Sequence, residues 1–136
     1  SDVCSSDLCE KAYFPPNDAI QSKYYECKSE WKYMNGGGWL CKTETFIKWQ
    51  EELPSYGVND QEWLHIMFTR YQGHSVFRDT KCNIFQSIAF DDGNDFEYQQ
   101  TRIFNQKTLT HPLLIHGNGR TDMNKVNEVA QRILNQ

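Results

Sequence analysis

Residues 113–134 hold the feature that most restricts what this chain can fold into. A short continuous apolar run, Leu113-Leu114-Ile115, is followed by His116-Gly117-Asn118-Gly119 and then by a segment of helical period. In that segment Met123, Val126, Val129, Ala130 and Ile133 fall on one side of a helix that starts near Thr121 or Asp122. A short apolar strand without alternation is expected to be covered on both faces. The unit therefore reads as buried strand, glycine turn and packed helix.

Upstream segments repeat this change of period. Thr43 is placed to cap a helix with Phe46, Ile47 and Trp49 on its apolar face, ending near Leu53-Pro54. Asn59, with Glu62 three residues on, marks a second helix start. Trp63, Leu64, Met67, Phe68 and Tyr71 follow at helical spacing and are expected in the core. His65, inside that helix, reads as a surface residue or a satisfied core one. Residues 82–90 read as a strand, DDGND (91–95) as a solvated hairpin tip, and 96–104 as a more polar extended stretch. Alternating helices and strands predict the α/β class, with helices packed on a sheet.

Two further stretches stand out. Tyr33-Met34-Asn35-Gly36-Gly37-Gly38-Trp39-Leu40 sets three glycines against aromatic and apolar residues. That pattern predicts a tight turn feeding a buried strand, at a place where a Cβ would be in the way. The first eleven residues, with their near-duplicate SDVC and SDLC, are expected to be a poorly ordered or non-native lead, leaving 12–136 as the domain.

At 38% hydrophobic and 24% charged, the 136 residues suit one globular domain or part of one. The net charge of −4, with scattered Lys and Arg, offers no basic surface for a nucleic acid. No run approaches the roughly 18 apolar residues of a membrane span. The five cysteines (Cys4, Cys9, Cys27, Cys41 and Cys82) match no zinc spacing and include no Cys-x-x-Cys. An odd count leaves at least one of them outside any intrachain disulfide.

The strand–turn–helix unit also suggests chemistry. The first amides of a helix are unpaired and carry partial positive charge, and Gly117 and Gly119 let backbone approach a bulky anion. His116 leaves the C-terminal end of a strand, where open α/β sheets place ligands. Its imidazole suits a metal, a phosphate hydrogen bond or a purely structural place. No G-x-S-x-G elbow or reactive-cysteine motif is present.

Four motifs in order resemble a known family. Met34-Asn35-Gly36-Gly37-Gly38, Asp60-Gln61, Asp79 with Ile84-Phe85-Gln86, and His116-Gly117-Asn118-Gly119 are similar to L-N-S-G-G, D-D-Q, L-D…I-F-Q and H-G-N-G-P-T. Those motifs belong to the glycosyltransferase domain of procollagen lysyl hydroxylases, and the resemblance covers about residues 12–124. Gly36 stands for the family's serine, Asn59 for an acidic residue and Arg120 for proline.

The resemblance implies a GT-A-type (Rossmann-like) mixed sheet flanked by helices, and transfer of a hexose from a UDP-sugar with Mn²⁺. It implies His116 as a metal ligand, with Gly117, Asn118 and Gly119 near the diphosphate. Asn35, Gly37 and Gly38 would lie beside the sugar and acceptor, with Asp60 on the acceptor side and Gln61 supporting it. The acceptor would be a protein or glycan of the collagen-hydroxylysine kind, and the compartment the secretory lumen. The family's D-x-D carboxylates are absent from this sequence. The expectation is therefore the C-terminal half of a transferase domain, inactive alone. The competing expectation is a non-catalytic carbohydrate-binding or scaffolding module, with Trp39 and Trp63 as sugar platforms.

Overall fold

The computed structural model describes residues 4–55, 57, 59–88, 95–99, 101–117 and 121–135. In chain order the elements are β1 (Cys4–Glu10), α1 (Asp18–Gln21), β2 (Tyr33–Trp39), α2 (Thr43–Glu52), α3 (Asp60–Tyr71) and β3 (Val76–Arg78). There follow β4 (Phe85–Ser87), β5 (Phe96–Gln99), β6 (Arg102–Asn105), β7 (Leu114–His116) and α4 (Met123–Leu134). The class is α/β. Among the described residues the strands form three small sheets instead of one continuous sheet. No helix among them is long and apolar enough to cross a membrane.

The expected poorly ordered lead contains a strand. β1 is the centre of a three-stranded sheet of order β2-β1-β3, antiparallel to β2 and parallel to β3. Both partners lie far along the chain, so the weak local pattern of SDVCSSDLCE gives no warning of it. Cys9 is fully buried against Trp31, Cys82 and Ile88.

The glycine triplet is also a strand and not a turn. Gly36, Gly37 and Gly38 lie inside β2, and none has a positive φ. What they form is a bulge. Cys9 pairs with Met34 and Asp7 with Trp39, so β1 advances two residues while β2 advances five. The extra β2 residues fall at Asn35 and the glycines, where backbone without Cβ can bend and be approached.

Helix α3 follows the pattern read from its residues. Asn59 Oδ1 accepts from the Gln61 and Glu62 amides at 3.0 and 3.3 Å. Trp63, Leu64, Met67 and Phe68 join Met34, Trp49 and Val76 in one core cluster between α2, α3 and the sheet. Trp63 Nε1 donates to the Leu53 carbonyl at 2.6 Å, which ties α3 to the end of α2. His65 is fully buried, with Nδ1 facing the Tyr24 hydroxyl and Nε2 3.0 Å from the Phe14 carbonyl. It is a satisfied core residue. Helix α2 departs from expectation: Lys42 holds the cap position and its side chain makes no capping bond, so Thr43 is not the cap. Its inward residues are Thr45 and Trp49, while Ile47 is exposed.

The second half is organised by buried polar groups. Asp79 accepts from the amides of Asn83, Ile84 and Phe85 at 2.7–2.9 Å, and Cys82 sits at φ 51°. The chain therefore enters β4 through a bonded turn, and of the expected strand over 82–90 the described residues form Phe85–Ser87, while 89 and 90 lie outside the described residues. β4 runs parallel to β7, pairing Ser87 with His116. Leu113 and Leu114 are 76% and 53% exposed, so β7 is not covered on both faces as its apolar run suggested.

The extended stretch 96–104 is the β5–β6 hairpin. Asp95, expected at a solvated tip, is buried and paired with Lys11 and Lys107. Residues 91–94 of that tip lie outside the described residues. Helix α4 packs Val129 into a second cluster with Trp31, Ile88, Phe96 and Ile103.

Candidate functional site

The bulge of β2 is the floor of the candidate site. Asn35 is almost fully buried there, and its Oδ1 accepts from the Gly37 amide at 2.7 Å. From α3, Gln61 reaches across: its Oε1 accepts from the Gly36 amide at 3.0 Å and its Nε2 donates to the Met34 carbonyl at 3.3 Å. This two-sided amide contact holds a bulged strand whose ladder bonds to β1 are interrupted.

His116 closes on the same floor from β7. A Cβ added to Gly37 would lie 2.1 Å from His116 Nε2, 2.4 Å from its Cε1 and 2.8 Å from Asn35 Oδ1. No real Cβ fits at those distances, so the ring occupies the space a side chain at 37 would take. Gly36 is different. Its added Cβ would meet Gln61 no closer than 3.5 Å, an ordinary contact. Contact thus requires a glycine at Gly37 and not at Gly36, and Gly38 continues the strand, half-buried.

Electrostatics at His116 favour a neutral ring. Burial pushes its imidazole below the ordinary value. A neutral imidazole offers one lone pair and one N–H, suited to a metal ion or an oxygen ligand. Among the described residues no three His, Cys, Asp or Glu side chains come together. His116 supplies at most one ligand there, and these residues alone do not make up a metal site.

The remaining expected residues are placed as follows. Asp60 is exposed at the first turn of α3, one Oδ1 accepting from the Gln61 amide at 2.8 Å. Gly117 follows β7, and a Cβ there would meet Val126 Cγ2 at 2.6 Å, so this glycine allows α4 to pack close. Asn118 and Gly119 lie outside the described residues. The open helix end expected for an anion already holds a carboxylate: Asp122 caps α4 and accepts from the Asn124 amide at 2.9 Å.

Some supporting residues were not read from the sequence. Ser87 is buried beside His116 across the β4–β7 pair. The Asn105 side chain donates to Gln86 Oε1 at 2.8 Å, locking the hairpin to β4. Thr121, next to the space of Gly117, has a buried hydroxyl without a hydrogen-bond partner among the described residues. Its position two residues past Gly119 was the available signal.

Comparison with known proteins agrees with the family resemblance. The family model described as the PLOD GT domain matches residues 8–136. An uncharacterised protein of Acanthamoeba polyphaga mimivirus, R699, is 27% identical over 119 residues, covering 86% of this chain and 24% of that protein. The chain thus spans about a quarter of the length of the curated relative it matches. With a family model over almost its whole length, this chain belongs to the PLOD GT domain family, the glycosyltransferase domains of the procollagen lysyl hydroxylases.

Proposed function

We propose that the bulge of β2, the start of α3 and the end of β7 form part of a site that transfers a hexose from a UDP-sugar to a protein or glycan acceptor. The observation that carries this reading is the contact of Gly37 with His116, with Asn35 and Gln61 fixing the same strand. Three of the four motifs meet there, although they are far apart in sequence. In this reading the domain is of the GT-A type.

The residues divide the work by position. Asn35 and Gln61 hold the glycine backbone in place before substrate arrives, so its exposed face offers a preformed seat for a sugar. His116, neutral and half-buried, would present its imidazole to the diphosphate side as one ligand of Mn²⁺. That ion would supply charge neutralisation at the leaving diphosphate. Its other ligands would be carboxylates from outside these 136 residues, because the sequence has no D-x-D. Asp60, exposed at the α3 N-terminus, faces the acceptor.

The competing module reading loses one of its two platforms. Trp63 is 3% exposed and bonded within the core, whereas Trp39 is half-buried and packs on Phe46 at 5.3 Å between ring centroids. The test is an assay of UDP-hexose turnover in the full-length protein, with and without Mn²⁺. Hexose transfer supports the reading, and binding of sugar without any transfer supports the module.

A further inference from the structure

A second concave surface lies away from the β2–β7 floor, between the segment following α1 and the start of β2. It is a cavity of about 560 Å³, within the usual range of small-ligand sites, about 300–1,000 Å³. Its lining includes Tyr24, Tyr25 and Tyr33, together with Lys28, Lys32 and Arg78. It includes none of Asn35, Gly37, Gln61 or His116. Binding there is separable from the transferase reading.

The walls are held before any ligand arrives. The Arg78 guanidinium donates to the Lys32 carbonyl at 2.6 Å and the Tyr25 carbonyl at 2.9 Å, joining both sides of the cavity. It also lies over the rings of Tyr24 and Phe68. Gln72 accepts from the Tyr25 amide at 3.0 Å and donates to the Lys23 carbonyl. A preformed wall avoids the ordering cost of binding.

The charge is opposite to that of the chain. Three cations line the cavity against one carboxylate, Glu26, whereas the whole chain carries −4. Neither Lys28 nor Lys32 has a carboxylate partner among the described residues. The apolar part of the lining is aromatic, with no aliphatic side chain. Aromatic rings with polar tips suit the C–H faces of pyranose rings better than they suit apolar peptide side chains. Cationic groups beside them suit carboxylates.

We infer that this cavity is a binding site for an anionic, uronate-type oligosaccharide, with the exposed Tyr25 ring against a sugar face and Lys28 and Lys32 on its carboxylates. The experiment titrates the full-length protein with tetragalacturonate, and with cellotetraose as the neutral tetrasaccharide, by calorimetry. Cys27, a free cysteine among the lining residues, serves as the locator: its alkylation is followed by peptide mass mapping. The expected result is saturable tetragalacturonate binding that slows Cys27 alkylation. Cellotetraose, and a Lys28→Ala/Lys32→Ala variant with unchanged circular dichroism, should each bind about tenfold more weakly. Absence of tetragalacturonate binding, equal binding of cellotetraose, an unaffected variant or unprotected Cys27 would overturn the proposal. So would tighter binding of tetraglutamate or a tetranucleotide at the same lysines.

Discussion

Gly37 and His116 compete for one space: a Cβ at position 37 would stand 2.1 Å from His116 Nε2, closer than atoms can approach. Gly37→Ala must therefore move the imidazole or the strand. Displacing a catalytic group by about 1 Å can cost on the order of a hundredfold in rate. We expect a loss of that size in turnover, with a circular dichroism spectrum like that of the parent.

Gly36→Ala supplies the contrast. Its Cβ would meet Gln61 at 3.5 Å or more, and the backbone there needs no positive φ. Activity should stay within a few-fold of the parent. If Gly36→Ala and Gly37→Ala lose activity equally, contact with His116 is not what sets Gly37 apart.

Gln61→Ala removes the acceptor for the Gly36 amide and the donor to the Met34 carbonyl. Partly buried groups left without partners cost about 1–3 kcal/mol. Urea denaturation should show a loss in that range, and Gln61→Glu, which keeps the acceptor, should lose less.

How much of this was legible in the residues depends on whether a local rule governs each element. The start of α3 is local: an Asn59 cap followed by residues of helical period, and the structure agrees. The glycines of β2 were read as a turn because glycine runs usually answer to backbone conformation. Here Gly37 answers to a histidine far along the chain, which the pattern marked only as a place where a Cβ would be in the way. β1 stayed hidden because its partners are non-local on both edges. Asp95 sat in the most polar stretch of the sequence, and its burial depends on lysines supplied by two other segments.

Acid should weaken the fold through His65. Burial, despite the Phe14 carbonyl bond and nearby Glu62, holds its imidazole down at about 4, against about 6.5 in an unfolded chain. The unfolded state thus binds the proton first. The stability is complete above pH 6.5 and lost as pH falls towards 4, by on the order of 3 kcal/mol. Urea midpoints at pH 7 and pH 4.5 measure the effect. A His65→Phe variant, less stable at pH 7, should show a flatter dependence between them.

The charge network around Asp95 predicts a separate lesion. Lys11 bonds Asp95 and lies 3.1 Å from Glu30, while Lys107 is 2.9 Å from both carboxylates. Burial pushes the Asp95 carboxyl up, but hydrogen bonds and charge from Lys11 and Lys107 outweigh it and hold the group below its ordinary value. Its contribution is therefore present above about pH 4 and lost below it. Asp95→Asn at neutral pH should cost about 1–3 kcal/mol and loosen the β5–β6 hairpin first, as hydrogen exchange at Phe96–Gln99 would report.

The most direct measurement is hexose release and transfer from a UDP-sugar by the full-length protein and its His116→Ala variant, with thermal melts alongside. The account predicts turnover in the parent and its loss in the variant, while the melting temperature stays within a few degrees. Turnover in His116→Ala equal to the parent's, with the same dependence on Mn²⁺, would contradict it.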